Sequence, residues 1–145
     1  MAQARTAAGF TLIEIVIALA IVAITTTFAV SSYRRHMIRS ERVEAAQALL
    51  AVAAEQEKFH LSLGFYVNRL DGVRGAAPPG IPVASMTPRG RYRLRIDAAD
   101  AAGFIVTAER IERDADPDCV TLSIDESGRR QARNGANQDT TAQCW

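Results

Sequence analysis

Glu14 is the only charged residue between Phe10 and Val30, and everything around it is apolar or threonine. On insertion scales an acid at the centre of a spanning helix costs roughly 2.5–3.5 kcal/mol, so a carboxylate in such a run asks for a partner. The plain alternative is an edge position from which it reaches lipid headgroups and does nothing. The residues before the run favour a partner. Ala7-Ala8-Gly9 is a small-residue processing site that precedes the apolar run, whereas a secretory signal places its cleavage site beyond that run. Cutting after Gly9 would leave the whole apolar segment on the mature chain, with Phe10 as its first residue.

Chemistry elsewhere is sparse. The two histidines, His36 and His60, lie too far apart to share a metal on one helix face. No nucleophile elbow, phosphate loop or metal-spaced cysteine pair occurs, so neither an enzyme nor a cofactor nor a metal is expected. Asp114, Asp116 and Asp118 alternate as in a calcium loop, but the rest of an ion-binding loop is missing. Cys119 and Cys144 both fall in the C-terminal quarter. Their even number, in a chain routed to the membrane, points to one disulfide formed in an oxidising compartment, the alternative being two buried thiols. Closing a loop of about 25 residues would stabilise by roughly 3–4 kcal/mol in the chain-entropy picture.

A second constellation is basic. Arg89, Arg91, Arg93 and Arg95 alternate, so in a strand they share one face, opposite Tyr92, Leu94 and Ile96. Arg129, Arg130 and Arg133 are placed to join them. Such a stripe fits duplex DNA or an acidic partner subunit. The reading the sequence favours is plainer: a solvated face, partly neutralised by Glu109 and Glu112. No aromatic residue on this face offers stacking to single strands. The chain's 17 basic and 16 acidic residues argue neither for nor against nucleic acid.

Gly9-Phe10-Thr11-Leu12-Ile13-Glu14 resembles the class III signal of type IV pilins and the related pseudopilins. The resemblance implies cleavage between Gly9 and Phe10 by a prepilin peptidase and N-methylation of the Phe10 amine. It also implies packing of the helix among other major and minor pilin subunits, where Glu14 neutralises the Phe10 ammonium of a neighbour. Each charge alone in hydrocarbon is expensive, and paired across subunits they offset one another. Before assembly the implied location is the inner membrane, single-pass, with a periplasmic C-terminal domain; afterwards it is a pilus at the cell surface. One signal disagrees. Arg34, Arg35, Arg39 and Arg42 follow the span against Arg5 before it, and the positive-inside rule read literally would keep the C-terminal domain in the cytoplasm. The leader and the cysteine pair argue the other way.

The ending Cys144-Trp145, with Cys119-Val-Thr-Leu122, resembles PilE-type minor pilins more than major subunits. The implied function is a structural, minor subunit of a type IV pilus, helping to initiate or build the filament used in twitching motility, adhesion or DNA uptake. The alternatives are a pseudopilin of type II secretion and a signal-anchored periplasmic binding domain that never polymerises.

The elements that must position these residues follow in order. Residues 1–9 are the leader. Residues 10–30, at about 1.5 Å each, span about 31 Å, the thickness of a bilayer core. Within them Thr25-Thr26-Thr27 can bond to preceding carbonyls and bend the helix. Pilins usually carry a mid-span glycine and an exit proline where this chain has Ala23 and Ser31, so its helix is expected to be more continuous. No glycine or proline occurs from Phe10 to Leu63. Residues 31–63 should extend the helix as an amphipathic half whose apolar stripe follows Val43, Ala46, Leu50 and Ala53, widened by Leu49, Val52, Phe59 and Leu63. Residues 64–90, rich in turn formers, make a long connection that in pilins is the variable loop. Residues 91–145 hold the strand candidates: Tyr92, Leu94 and Ile96; Phe104 to Ala108; Val120, Leu122 and Ile124; and, after the turn Asp125-Glu-Ser-Gly128, a short strand near Arg130 to Arg133. The polar tail returns to Cys144. The fold class is α+β, a pilin fold with a long N-terminal helix packed on a roughly four-stranded antiparallel sheet.

Overall fold

The computed structural model describes residues 10–73 and 77–145, and for 27–31 the backbone alone. The leader, Gly9 included, lies outside the described residues. Two compact units divide the chain, Met1–Met37 and Ile38–Trp145.

In the first unit the helix α1 (Leu12–Leu63) begins. Thr11 opens it, its carbonyl and its Oγ1 both accepting the Glu14 amide at 3.1 and 3.3 Å. That is half of a capping box, and it puts a carboxylate in the first turn, where the helix end is positive. Thr25 and Thr26 donate their hydroxyls back to the carbonyls of Ile21, Val22 and Ala23 at 2.9–3.0 Å. The helix continues through them without a break, so the bonds satisfy the hydroxyls rather than interrupt the ladder. The apolar side chains here face outward, Phe10 and Leu12 at 81% exposure. The expected span at 10–30 takes in residues 27–30, whose backbone alone is described, and among the described residues no helix is long and apolar enough to cross a membrane.

In the second unit α1 runs to Leu63 and stops at Gly64, whose φ of +77° lets its amide reach the His60 carbonyl at 2.9 Å. A four-stranded antiparallel sheet follows: β1 (Tyr92–Ala99), β2 (Phe104–Arg110), β3 (Thr121–Asp125) and β4 (Arg130–Arg133), neighbouring in chain order. Between β2 and β3 lies the 3-10 turn Arg113–Ala115; after β4 comes the short helix α2 (Thr141–Cys144). Alternation decides the inner face. Tyr92, Leu94, Phe104, Val106, Ala108, Leu122, Ile124 and Ala132 are buried and pack with one seam of α1.

That seam follows the expected stripe only in part. Leu49, Val52 and Phe59 of that stripe are buried, whereas Val43 and Leu50 are 50% and 42% exposed, and Ala45, outside it, is buried. The true inward row also contains Glu41 and Gln56, both buried. The centre of the inward row is thus shifted from the expected stripe, because two of its positions are polar and carry partners.

The connection from Gly64 to Gly90 contributes core as well as loop. Tyr66, Val67 and Ile81 are buried. Gln56 binds the Val67 backbone at both ends, Nε2 donating to its carbonyl at 2.7 Å and Oε1 accepting its amide at 2.8 Å. Further along, the Gly72 amide bonds the Ile81 carbonyl at 3.0 Å, and a Cβ on Gly72 would lie 2.3 Å from the Gly80 Cα. Only paired glycines permit that approach. Both sheet edges are partly covered as well. Met86 bridges Arg93 beside the start of β1, and Asp139 bridges Arg133 beside the end of β4, so part of each edge is paired.

Candidate nucleic-acid interface and assembly site

Of the four alternating arginines only Arg93 and Arg95 lie in β1, where they share the outer face; Arg89 and Arg91 precede the strand and reach Glu44 and Glu41 of α1. The register lays that outer face out in rows. Arg93 pairs Glu109, which pairs Thr121, which pairs Arg133; beside it run Arg95, Thr107, Ser123 and Gln131. Arg93, Arg95, Gln131 and Arg133 are exposed. Three strand spacings of about 4.8 Å put the two ends of the first row about 14 Å apart. A shallow polar cleft of about 210 Å³ opens at its β1 end, lined by Arg93, Glu109, Arg110, Ile111 and Arg113.

Carboxylates meet most of these cations. Arg89 lies 3.6 Å from Glu44 and donates to Ser40 at 3.1 Å. Arg91 stands 3.1 Å from Glu112 and 3.5 Å from Glu41, and Arg95 stands 3.0 Å from Asp97. Arg113 binds Glu109. Among the described residues Arg93 alone of the four has no ion pair. The sequence reading identified Glu109 and Glu112 as neutralising residues but not Glu41, Glu44 or Asp97. The first two sit on the helix, and the third shares β1 with the arginine it binds.

The three hairpin arginines diverge. Arg133 joins the outer face, with Nη1 on the Asn137 carbonyl at 3.1 Å. Arg129 turns to Asp125 at 3.5 Å. Arg130 belongs to the other face and stacks on the Trp145 ring at 5.3 Å.

Beneath the arginine row lies a buried charged pair that the sequence did not mark. Arg110 ends β2 facing inward, and its Nη2 meets Glu41 at 2.6 Å while Nη1 reaches the Tyr92 hydroxyl at 3.4 Å. Burial works against its charge, yet the Tyr92 and Glu41 oxygens hold the guanidinium above its ordinary pKa. Burial likewise pushes the Tyr92 phenol up, against the opposing pull of Arg110. Nearby, Arg42 grips Asp116 through Nε and Nη2, each at 2.7 Å, and this pair raises the Arg42 pKa. Asp116 is therefore committed to an arginine, and Asp118 accepts from Gln143 at 3.2 Å. Among the described residues no group of three His, Cys, Asp or Glu side chains converges to hold a metal.

Cys119 and Cys144 are joined in a disulfide with Cα atoms 5.7 Å apart. It ties α2 to the start of β3, and Trp145 beyond it donates Nε1 to the Gln131 carbonyl at 2.8 Å. Of the residues at the N-terminal motif, Phe10 and Glu14 are exposed, and Gly9 lies outside the described residues.

A long leading helix, half of it laid on an antiparallel sheet and opened by Phe10-Thr-Leu-Ile-Glu14, defines the class: a type IV pilin subunit. The sequence model of the prokaryotic N-terminal methylation motif matches residues 4–30, which bracket Gly9, Phe10 and Glu14. A second model, described as type IV minor pilin ComP, DNA uptake sequence receptor, matches residues 31–123. The chain belongs to this ComP family of minor pilins. A solved structure of a type IV pilin from Shewanella oneidensis is 25% identical, covering 74% of this chain and 96% of that one, with a TM-score of 0.44. No curated protein matches the chain.

Proposed function

We propose that this minor pilin is built into a type IV pilus and there contacts duplex DNA for uptake, through the outer face of β1 and the rows that cross the sheet from it. The reading is supported by the family description, which names a DNA uptake sequence receptor over residues that include all of β1 and β2. The observation that carries it here is the first cross-sheet row, with exposed arginines, Arg93 and Arg133, at its two ends. Their separation of about 14 Å is near the roughly 12 Å width of the major groove, so each can meet a phosphate on opposite banks. Thr121 between them, and Ser123 and Gln131 in the next row, supply neutral donors and acceptors for phosphate or base edges.

The route to the filament follows from the N-terminal motif. Prepilin peptidase cuts between Gly9 and Phe10, the Phe10 amine is methylated, and the helix leaves the inner membrane to pack among other pilin subunits. Glu14 then offsets a neighbour's Phe10 ammonium. The C-terminal domain, with its disulfide, is periplasmic before assembly and exposed on the pilus after it.

The test is duplex binding by the full chain in detergent, followed by fluorescence anisotropy at low salt. The parent protein is expected to bind, and an Arg93→Glu/Arg133→Glu variant to lose that binding. A parent that binds no duplex at about 50 mM salt, where phosphate contacts are strongest, ends the DNA reading.

A further inference from the structure

Two carboxylates on the proposed DNA face have no structural employment. The buried Glu41 braces Arg110 and also lies 3.5 Å from Arg91, and Asp97 accepts the Thr107 hydroxyl at 2.5 Å. Glu109 and Glu112 differ: among the described residues their side chains meet arginines alone, Arg113 and Arg91. Glu112 and Arg113 are open at 63% and 62% side-chain exposure, and Arg91 and Glu109 are half-buried at 43% and 33%. Ion pairs so exposed are worth roughly 0–1 kcal/mol to folding. Their effect on an approaching polyanion is larger, because every phosphate contact adds to affinity and each paired arginine must first give up its carboxylate. Glu109 is also the register partner of Arg93, so its charge stands between two arginines at the rim of the polar cleft.

We infer that Glu109 and Glu112 are specificity-determining residues of this face: they hold Arg113 and Arg91 in ion pairs that a duplex phosphate must displace, and so suppress capture of DNA irrespective of its sequence. The inference rests on the DNA-contacting reading above. Lowering the backbone contribution leaves base-edge contacts to decide which duplexes are retained, which a receptor among abundant unrelated DNA requires.

The experiment uses the full chain in detergent and a random-sequence 30-base-pair duplex, measured across a salt series. A Glu109→Gln/Glu112→Gln variant is expected to bind this duplex more tightly than the parent. Its slope of log affinity against log salt should steepen by about 1 for Arg113, which loses its only carboxylate, and by at most about 2 in all, because Arg91 keeps Glu41 at 3.5 Å. A Glu109→Asp/Glu112→Asp variant keeps both charges and is expected to follow the parent. If the parent binds and the glutamine variant shows the same affinity and slope, the inference is overturned. It is overturned equally if the aspartate variant binds as tightly as the glutamine one. Binding by neither parent nor variant removes the DNA reading itself, and this inference with it.

Discussion

Arg110 of β2 and Glu41 of α1 meet at 2.6 Å inside the domain, with side chains 2% and 9% exposed. No other charged pair in the described residues is as deeply enclosed, and it joins the helix to the strand that carries the outer-face Glu109. Desolvation makes such a pair expensive to form and more expensive to break. Replacing Glu41 by alanine should cost about 3–5 kcal/mol, because it leaves the guanidinium buried with only the Tyr92 hydroxyl and the Glu112 carbonyl. The double replacement Glu41→Leu/Arg110→Met should cost less than either single change. Urea unfolding of the parent, the Glu41→Leu and Arg110→Met single variants and the double variant decides it: a double loss equal to the sum of the two single losses would mean that the pair is not energetically coupled.

Gln56 makes a different demand on the same helix. It is fully buried, and its amide completes both hydrogen bonds of Val67. Methionine has a similar shape but leaves that amide and carbonyl unpaired. Gln56→Met should therefore lose about 2–4 kcal/mol by urea unfolding, from two unsatisfied buried groups. A loss below about 1 kcal/mol would show that water or a local shift replaces the side chain.

These two residues also mark where the sequence stopped being legible. The strands could be read because Tyr92-Arg-Leu-Arg-Ile96 and Val120-Thr-Leu-Ser-Ile124 alternate in hydropathy, and the helix end because Gly64 stops an uninterrupted pattern. The same period of two put Arg93 and Arg95 on one face, but not Arg89 and Arg91, which precede the strand. The phase of the helix followed only in part: Leu49, Val52 and Phe59 lie on the expected stripe, but Glu41 and Gln56 look like surface residues until their partners on β2 and in the loop are known. Arg110 is hidden the same way within Glu109-Arg-Ile-Glu112. Long-range pairing of polar groups leaves no periodic trace. The loop core of Tyr66, Val67 and Ile81 was missed because turn formers surround it.

Acid should weaken the β3–β4 hairpin by a mechanism that one residue controls. The Asp125 carboxyl lies below the usual carboxylate range because the Ser127 hydroxyl donates to it, with the amides of Arg129 and Ser127 adding to the effect against partial burial. A depressed folded-state pKa means that its contribution is present above the unfolded value, about 4, and is lost as pH falls through the folded one. Asp125→Asn keeps an acceptor oxygen but cannot titrate. The variant should lose less thermal stability than the parent between pH 5 and pH 2.5, followed by circular dichroism. Parallel curves would assign the acid sensitivity to other groups, such as Asp100 and Asp139, whose pKa values are also lowered by backbone amides.

The disulfide closes a separation of 25 residues around β3, β4 and α2. In the chain-entropy picture that restriction of the unfolded state is worth roughly 3–4 kcal/mol, a large part of a small domain's stability. A Cys119→Ser/Cys144→Ser protein should unfold at correspondingly lower urea, and reductant should lower the parent but not the variant. An unchanged midpoint would mean that Arg42 on Asp116 and Trp145 on Gln131 already hold the C-terminal segment in place.

Glu14 carries the assembly proposal, and its test is made in the cell rather than in the tube. In the single chain its carboxylate is exposed beside an exposed Phe10, so the folded subunit gives it no partner of its own among the described residues. Packed among other helices it would be surrounded by hydrocarbon, where an unpaired carboxylate or ammonium costs several kcal/mol. Glu14→Ala leaves the neighbour's methylated Phe10 amine without its counter-charge. The amount of this protein in sheared pili should then fall by at least about tenfold while its amount in the cell membranes holds steady. Mass spectrometry of the parent from the same fibres should find a chain starting at methylated Phe10. Normal incorporation of the alanine variant would show that the subunit enters the filament by contacts other than this charge pair.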